Sequence, residues 1–296
     1  TVTDGAGLTA TSTQTVTIAD NENPTIATLG DITLDSDAGV CTYDSSQLTA
    51  PDTTDNCTVA SVIASPASLS LGSNSVTWTV TDGAGLTATS TQTVTIEDNE
   101  DPIAIAQNVI VQLDASGNGT TTAELVNNVS TDACGIASLV LSKTAFTCAE
   151  VGDNTVTLTV TDNSGNVSSA TAVVTVEDNV APVAIVQNVI VELDISGNGS
   201  TTAALVDNGS NDACGIASLS LSKTAFTCAE VGDNTVTLTV TDNNGQVSTM
   251  DATVTVNAPN LTDELDATPS VSGDDIIFTI SAAAGVTVDI TSVQGS

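Results

Sequence analysis

An all-β chain of tandem β-sandwich repeats is what this sequence predicts. Three observations carry the prediction. A unit of about 80 residues recurs along the chain, apolar and hydroxylated residues alternate inside it, and turn-forming residues separate the alternating runs.

Recurrence sets the organisation. Thr1–Pro24 returns almost unchanged as Thr79–Pro102, again at Thr159–Pro182, and more loosely at Thr239–Pro259. Pro102–Val176 aligns with Pro182–Val256 without a gap, identical at most positions. A unit of this length suits a seven-strand sandwich and exceeds a short solenoid repeat. The register predicts five segments. Residues 1–20 are the closing hairpin of a repeat, residues 21–98, 99–178 and 179–257 are whole repeats, and residues 258–296 open a different β module with strands at Asp274–Ile280 and Val286–Ile290.

Within a repeat the strands follow from the pattern. Val109, Val111 and Leu113 form an opening strand that ends at the turn Ser116-Gly117-Asn118-Gly119. Val156, Leu158 and Val160 alternate with Thr155, Thr157, Thr159 and Thr161, which gives one apolar and one hydroxylated face. Asn163, Ser164, Gly165 and Asn166 supply turn chemistry, and a second alternating run carries Val174 and Val176 inward. That is a β-hairpin closing each repeat. No segment carries a helical period. Trp78 aligns with Leu158 and Leu238, so it is expected in the core, as are Phe146 and Phe226.

The charge balance is extreme: Lys plus Arg total 2, Asp plus Glu total 36, and the formal net charge is -34. Such a chain cannot neutralise phosphates, which excludes nucleic acid and anionic membrane surfaces as partners. Disorder is not the reading, because 40% of residues are hydrophobic and they alternate as half-buried strands do. No apolar run is long enough to span a bilayer. His is absent, so the usual general base at neutral pH is missing, and no active site is expected.

The 6 Cys fall two to a repeat. Cys134 and Cys148 match Cys214 and Cys228, whereas Cys57 matches Cys134 and its companion has moved upstream to Cys41. The expectation is a bridge inside each repeat, Cys41–Cys57, Cys134–Cys148 and Cys214–Cys228, each worth roughly 3 kcal/mol in the chain-entropy model. Zinc would need four clustered ligands, and there is neither His nor a CxxC pair. Disulfides imply an oxidising compartment.

The repeat boundaries are acidic. Asp20, Glu22 and Asn23 occupy the first; Asp98, Glu100 and Asp101 the second; Glu177, Asp178 and Asn179 the third. Oxygen-only clusters at a seam between rigid domains suit calcium. A second candidate set is Asp82, Asp162 and Asp242 in the TD-x-x-G turns, where Asp can instead bond its own backbone. Asp55, Asp132 and Asp212 beside the cysteines read more simply as turn formers. Asp52-Thr53-Thr54 offers Thr53 as an O-glycosylation acceptor.

Taken together, the junction DNENP or DNEDP, the central TDNC or TDACG, the VGDNTVTLTVTD strand and the terminal hairpin resemble the HYR (hyalin repeat) family over residues 21–257. That resemblance implies an immunoglobulin-like fold and an extracellular adhesive or spacer role. High identity between neighbouring repeats and scarce lysine also resemble the giant surface adhesins of gliding Bacteroidota, which implies export by the type IX secretion system. The junctions resemble cadherin calcium linkers over a few residues.

The function expected is a non-catalytic stalk: repeats stacked end to end as an extended rod at the cell surface, projecting an adhesive tip. Its partners would be neighbouring repeats of the same chain, the cell-surface anchoring machinery, and a surface or glycan ligand at the tip. Two alternatives are a glycan-binding repeat module and the spacer domains of a secreted multidomain enzyme. An exposed aromatic cluster would favour the first, and a catalytic domain elsewhere in the polypeptide the second.

Overall fold

The three sequence periods become three sheets of one topology. The computed structural model describes residues 1–259, 268–272 and 275–279. By backbone contacts the chain divides into two units: residues 1–107, 127–142 and 157–171 in one, and residues 108–126, 143–156 and 172–296 in the other. The strands Gly152–Asp162 and Val167–Glu177 run through both.

The first unit begins with a small hairpin, Val2–Thr3 on Thr9–Ala10. Its main sheet has the order Ile32–Asp35, Thr87–Glu97, Gly72–Asp82, Val59–Ser65. The first of these strands runs parallel to Thr87–Glu97, and the rest are antiparallel. The facing layer is fragmentary: Thr25–Ile26 pairs with Thr53–Thr54, and Thr42–Asp44 with Ser68–Ser70. Ile136–Leu141 pairs with the second half of Gly152–Asp162.

In the second unit Val109–Gln112 lies parallel to the end of Val167–Glu177, and Asn118–Thr120 pairs with Ala145–Thr147. A full sheet follows in the order Val189–Glu192, Val247–Asn257, Gly232–Asp242, Ile216–Leu221, with Asn198–Ser200 on Ala225–Thr227 in the other layer. Thr268–Ser272 and Asp275–Thr279 form an antiparallel pair. The strand expected at Val286–Ile290 lies outside the described residues.

Period-two alternation makes these layers stick. Val76, Trp78 and Val80 point inward from one strand, and Val94 and Ile96 from its neighbour, all 3% exposed or less. The facing layer contributes Leu69 here, and Phe226 against Val236 and Leu238 in the last sheet. Trp78, Phe146 and Phe226 are core residues as the alignment predicts, and the Trp78 indole N–H donates to Gln92 Oε1 at 3.1 Å. Small β-branched side chains fill each sandwich. Burying one such side chain contributes about 1.5–3 kcal/mol, so many are needed.

Two features depart from the sequence reading. Ala123–Val126 and Ala203–Val206 each form a single helical turn, too short to leave a period in the sequence. Cys148–Glu150 and Cys228–Glu230 are 3₁₀ turns closed by a capping box, in which the Thr147 or Thr227 hydroxyl accepts from the turn while Glu150 or Glu230 accepts from the cap amide. Among the described residues no helix is long and apolar enough to cross a membrane.

Candidate functional site: acidic clusters and disulfides at the repeat boundaries

The same alternation that builds the core delivers carboxylates to both of its ends. In Gly72–Asp82 the inward positions are Val76, Trp78, Val80 and then Asp82, which is 2% exposed. Asp162 and Asp242 end their strands the same way at 1%. On the neighbouring strand the inward series Gln92, Val94, Ile96 runs on into Asp98, and Ala172, Val174, Val176 into Asp178. A third Asp comes from the turn before each opening cysteine.

In the first repeat Asp20, Asp55 and Asp82 meet, each with a carboxylate oxygen within 4.8 Å of the others. Each spends one oxygen on its own turn. Asp82 Oδ1 accepts from the Ala84 and Leu86 amides at 2.9 and 2.8 Å. Asp55 Oδ2 accepts from the Cys57 and Thr58 amides, both at 2.9 Å, and Asp20 Oδ1 from Glu22. The other oxygens, Asp20 Oδ2, Asp55 Oδ1 and Asp82 Oδ2, are buried and have no hydrogen-bond partner. Leaving such oxygens unpaired is costly.

No basic side chain answers these charges. The chain has two, and both are engaged elsewhere: Lys143 pairs with Glu150 at 3.1 Å and Lys223 with Glu230 at 2.9 Å, each above a phenylalanine ring. The neighbouring thiol registers the field. The Asp20 carboxylate, followed by desolvation and by Asp55 and Asp82, pushes Cys57 above the usual thiol range.

The later repeats repeat the arrangement with changes. Asp98 and Asp132 converge beside Cys134, and Asp178 and Asp212 beside Cys214. Asp132 and Asp212 cap the cysteine amides at 2.7 and 2.8 Å. Asp178 Oδ2 and Asp242 Oδ2 are again buried and unpartnered. The second repeat is more self-sufficient: Ser164 donates to Asp98 Oδ2, and the Asn166 side chain donates to Asp162 Oδ2. Burial pushes Asp162 up, but hydrogen bonds from Asn166, Gly165 and Ser164 outweigh it and hold the carboxyl below its usual range.

So the structure draws one member of each cluster from the boundary and one from the residues read more simply as turn formers, and in the first cluster a third, Asp82, from the TD turn. The remaining boundary candidates lie apart from it. Glu22 accepts from Asn56, Glu100 from the Gly39 amide, and Glu177 from Gln112, while Asn179 donates to Gln112. Asn23 and Asp101 are exposed. Thr53 is half-buried in a strand, paired with Ile26.

The cysteine pairing differs from the expectation. Cys41 is bonded to Cys134 and Cys148 to Cys214, while Cys57 and Cys228 are free and exposed. None of the bridges expected inside a repeat, Cys41–Cys57, Cys134–Cys148 or Cys214–Cys228, is present. The reason is geometric. Ile136–Leu141 carries the chain roughly 20 Å along the repeat at 3.3 Å per residue. The return strand, Ala145–Thr147, lies in the other layer and is half as long. Cys134 and Cys148 fall in different units of the chain, and each is bonded to a cysteine of its own unit. A cysteine at the end of one repeat faces a cysteine at the start of the next.

The displaced Cys41 obeys the same rule. It directly precedes Thr42–Asp44, as Gly117 precedes Asn118–Thr120. A Cβ built on Gly117 would lie 2.6 Å from Cys148 Sγ. Cys41 thus presents its sulfur from the adjacent strand at the place where Cys148 presents its own.

No protein-family model and no curated protein matches the chain. Among solved structures, mouse cadherin-23 EC22-24 aligns at TM-score 0.33 and 14% identity, covering 80% of this chain and 100% of that one. The protocadherin gammaB4 extracellular domain aligns at 0.34 and 14%, covering 84% and 51%, and the human desmocollin-1 ectodomain at 0.23 and 12%, covering 81% and 59%. At these TM-scores the likeness carries no argument about this chain.

Proposed function

We propose that this chain is a non-catalytic stalk segment of a bacterial cell-surface adhesin, with calcium bound at the boundaries between its immunoglobulin-like repeats. The observation that carries the reading is the boundary itself. Asp178 and Asp212 converge beside Cys214, Asp178 Oδ2 is buried and unpaired, and the Cys148–Cys214 disulfide joins one repeat to the next at that point. A bound cation and a disulfide would each resist bending or separation of neighbouring repeats, which is what a spacer under tension requires.

Calcium fits the donor set. The ligands are oxygen only, three carboxylates in the first repeat and two in the later ones, and calcium completes a shell of six to eight from carbonyls and water. Magnesium holds its own water more tightly and demands stricter octahedral geometry. The resemblance to HYR repeats and to the giant gliding-motility adhesins of Bacteroidota supports an extracellular place, type IX export and a distal adhesive tip. The near absence of Lys and Arg leaves little for trypsin-like proteases to cut.

Thermal unfolding of the chain in calcium and in chelator tests the reading. The melting temperature is expected to fall on chelation and to recover when calcium is restored. An identical melting temperature in both buffers contradicts it.

A further inference from the structure

The three acidic clusters share a sequence plan but differ in how much of their charge is already satisfied. The TD turn reads TDGAGL at residues 81–86, TDNSGN at 161–166 and TDNNGQ at 241–246. Its Asp is constant, while the residues two and four places after it change. In the second repeat those positions hold Ser164 and Asn166, and both side chains donate to carboxylates. Ser164 Oγ donates to Asp98 Oδ2 and Asn166 Nδ2 to Asp162 Oδ2, each at 2.9 Å. The other oxygens, Asp98 Oδ1 and Asp162 Oδ1, accept from backbone amides. Both aspartates are fully partnered.

The first and last repeats answer their carboxylates differently. Ala84 and Leu86 fill the two positions in the first, and neither side chain can donate. Asp20 Oδ2, Asp55 Oδ1 and Asp82 Oδ2 are left buried and unpartnered there, and Asp82 is 2% exposed. In the last repeat Gln246, one methylene longer than asparagine, donates to Asn179 Oδ1 at 3.4 Å instead. Asp178 Oδ2 and Asp242 Oδ2 stay buried and unpartnered, on residues 5% and 1% exposed. A buried anionic oxygen without a donor favours a cation, because its desolvation is otherwise uncompensated. An oxygen that already faces an O–H or N–H has its compensation. A cation arriving there must first displace the donor and its positive hydrogen.

We infer that calcium binds at two of the three clusters only, the one formed by Asp20, Asp55 and Asp82 and the one formed by Asp178 and Asp212. At the middle cluster of Asp98 and Asp132 the Ser164 and Asn166 side chains stand in for the cation. The inference rests on the calcium reading above and sharpens it, since the residues two and four places after the TD aspartate decide which clusters take the ion. Chelation therefore strips the first and last clusters and leaves the hydrogen bonds of the middle one in place.

The test is the stoichiometry of calcium binding to the full 296-residue chain, measured by equilibrium dialysis in enough monovalent salt to screen diffuse attraction to its net charge. Two ions per chain are expected. Asp82→Asn and Asp178→Asn should each remove one, and Asp98→Asn should remove none. Ser164→Ala with Asn166→Leu, which gives the second repeat the residues of the first, should raise the count to three. A parent that binds one ion or three overturns the inference while the calcium reading stands, as does a loss on Asp98→Asn. A count that stays at two in the double variant overturns the role given to Ser164 and Asn166. A parent that binds none removes the calcium reading, and the inference with it.

Discussion

Cys148 is bonded to Cys214 across 66 residues of sequence, and Ala213, beside that bridge, fills the space over Gly117. Glycine is required there for two reasons. Its φ is +74°, and a side chain would collide with the Cys148 sulfur. The covalent joint and the close packing that accompanies it are therefore one feature, and consequences follow for stability.

Removing that joint should be expensive. A bridge closing a loop of this size is worth about 4–5 kcal/mol in the chain-entropy model. Cys148→Ser with Cys214→Ser is expected to lower the denaturant midpoint by a corresponding amount, whereas Cys57→Ser leaves the midpoint of this chain unchanged. Equilibrium unfolding in urea under non-reducing conditions measures both.

Asp82→Asn is expected to act with opposite signs in two buffers. The amide oxygen still accepts from Ala84 and Leu86, so the turn survives, but one of three converging charges is gone. In chelator the variant should melt at or above the parent's temperature, because carboxylate repulsion is relieved. In calcium it should melt below the parent, having lost a ligand. Paired melting curves decide.

Glu150 and Glu230 supply an acid-sensitive element. The Thr147 hydroxyl and amide together with Lys143 hold Glu150 at about 2, and Lys223 with Thr227 does the same for Glu230, against an ordinary 4.5. A depressed carboxyl contributes stability that is present above its unfolded value and lost as pH falls through the folded one. The 3₁₀ turns should therefore loosen between about pH 4.5 and pH 2. In Glu150→Gln with Glu230→Gln that part of the acid transition is expected to vanish, as read by amide exchange at Ala149 and Ala229.

Val129 sits at φ 59°, in the left-handed region, where the equivalent residue of the last repeat is Gly209 at φ 87°. A β-branched residue pays roughly 1–3 kcal/mol for that backbone. Val129 is exposed, so little packing is lost by removing it. Val129→Gly is expected to stabilise the chain by about 1 kcal/mol in chemical denaturation, less the entropy that glycine returns to the unfolded state.

The strands were legible because alternation is a local property. Val156, Leu158 and Val160 announce their face without reference to the rest of the chain. The cation cluster was half legible. Asp82 and Asp98 continue the inward series of two neighbouring antiparallel strands, so period two places one carboxylate at each end of a core, and each meets the aspartates of a different boundary. Asp55 looked like a turn former and is one, but an aspartate has two oxygens, and the turn uses only one. Disulfide pairing could not be read at all from spacing. It depends on which end of the sandwich a cysteine reaches, and Cys41 and Cys148 reach the same end from different strands.

The proposed stalk has its repeats joined in line and held so at their boundaries. Small-angle X-ray scattering of the chain in calcium tests it most directly. Three repeats of roughly 35–40 Å each predict a maximum dimension above about 100 Å with a rod-like distance distribution. A symmetric distribution ending near the size of one compact globule would contradict the account.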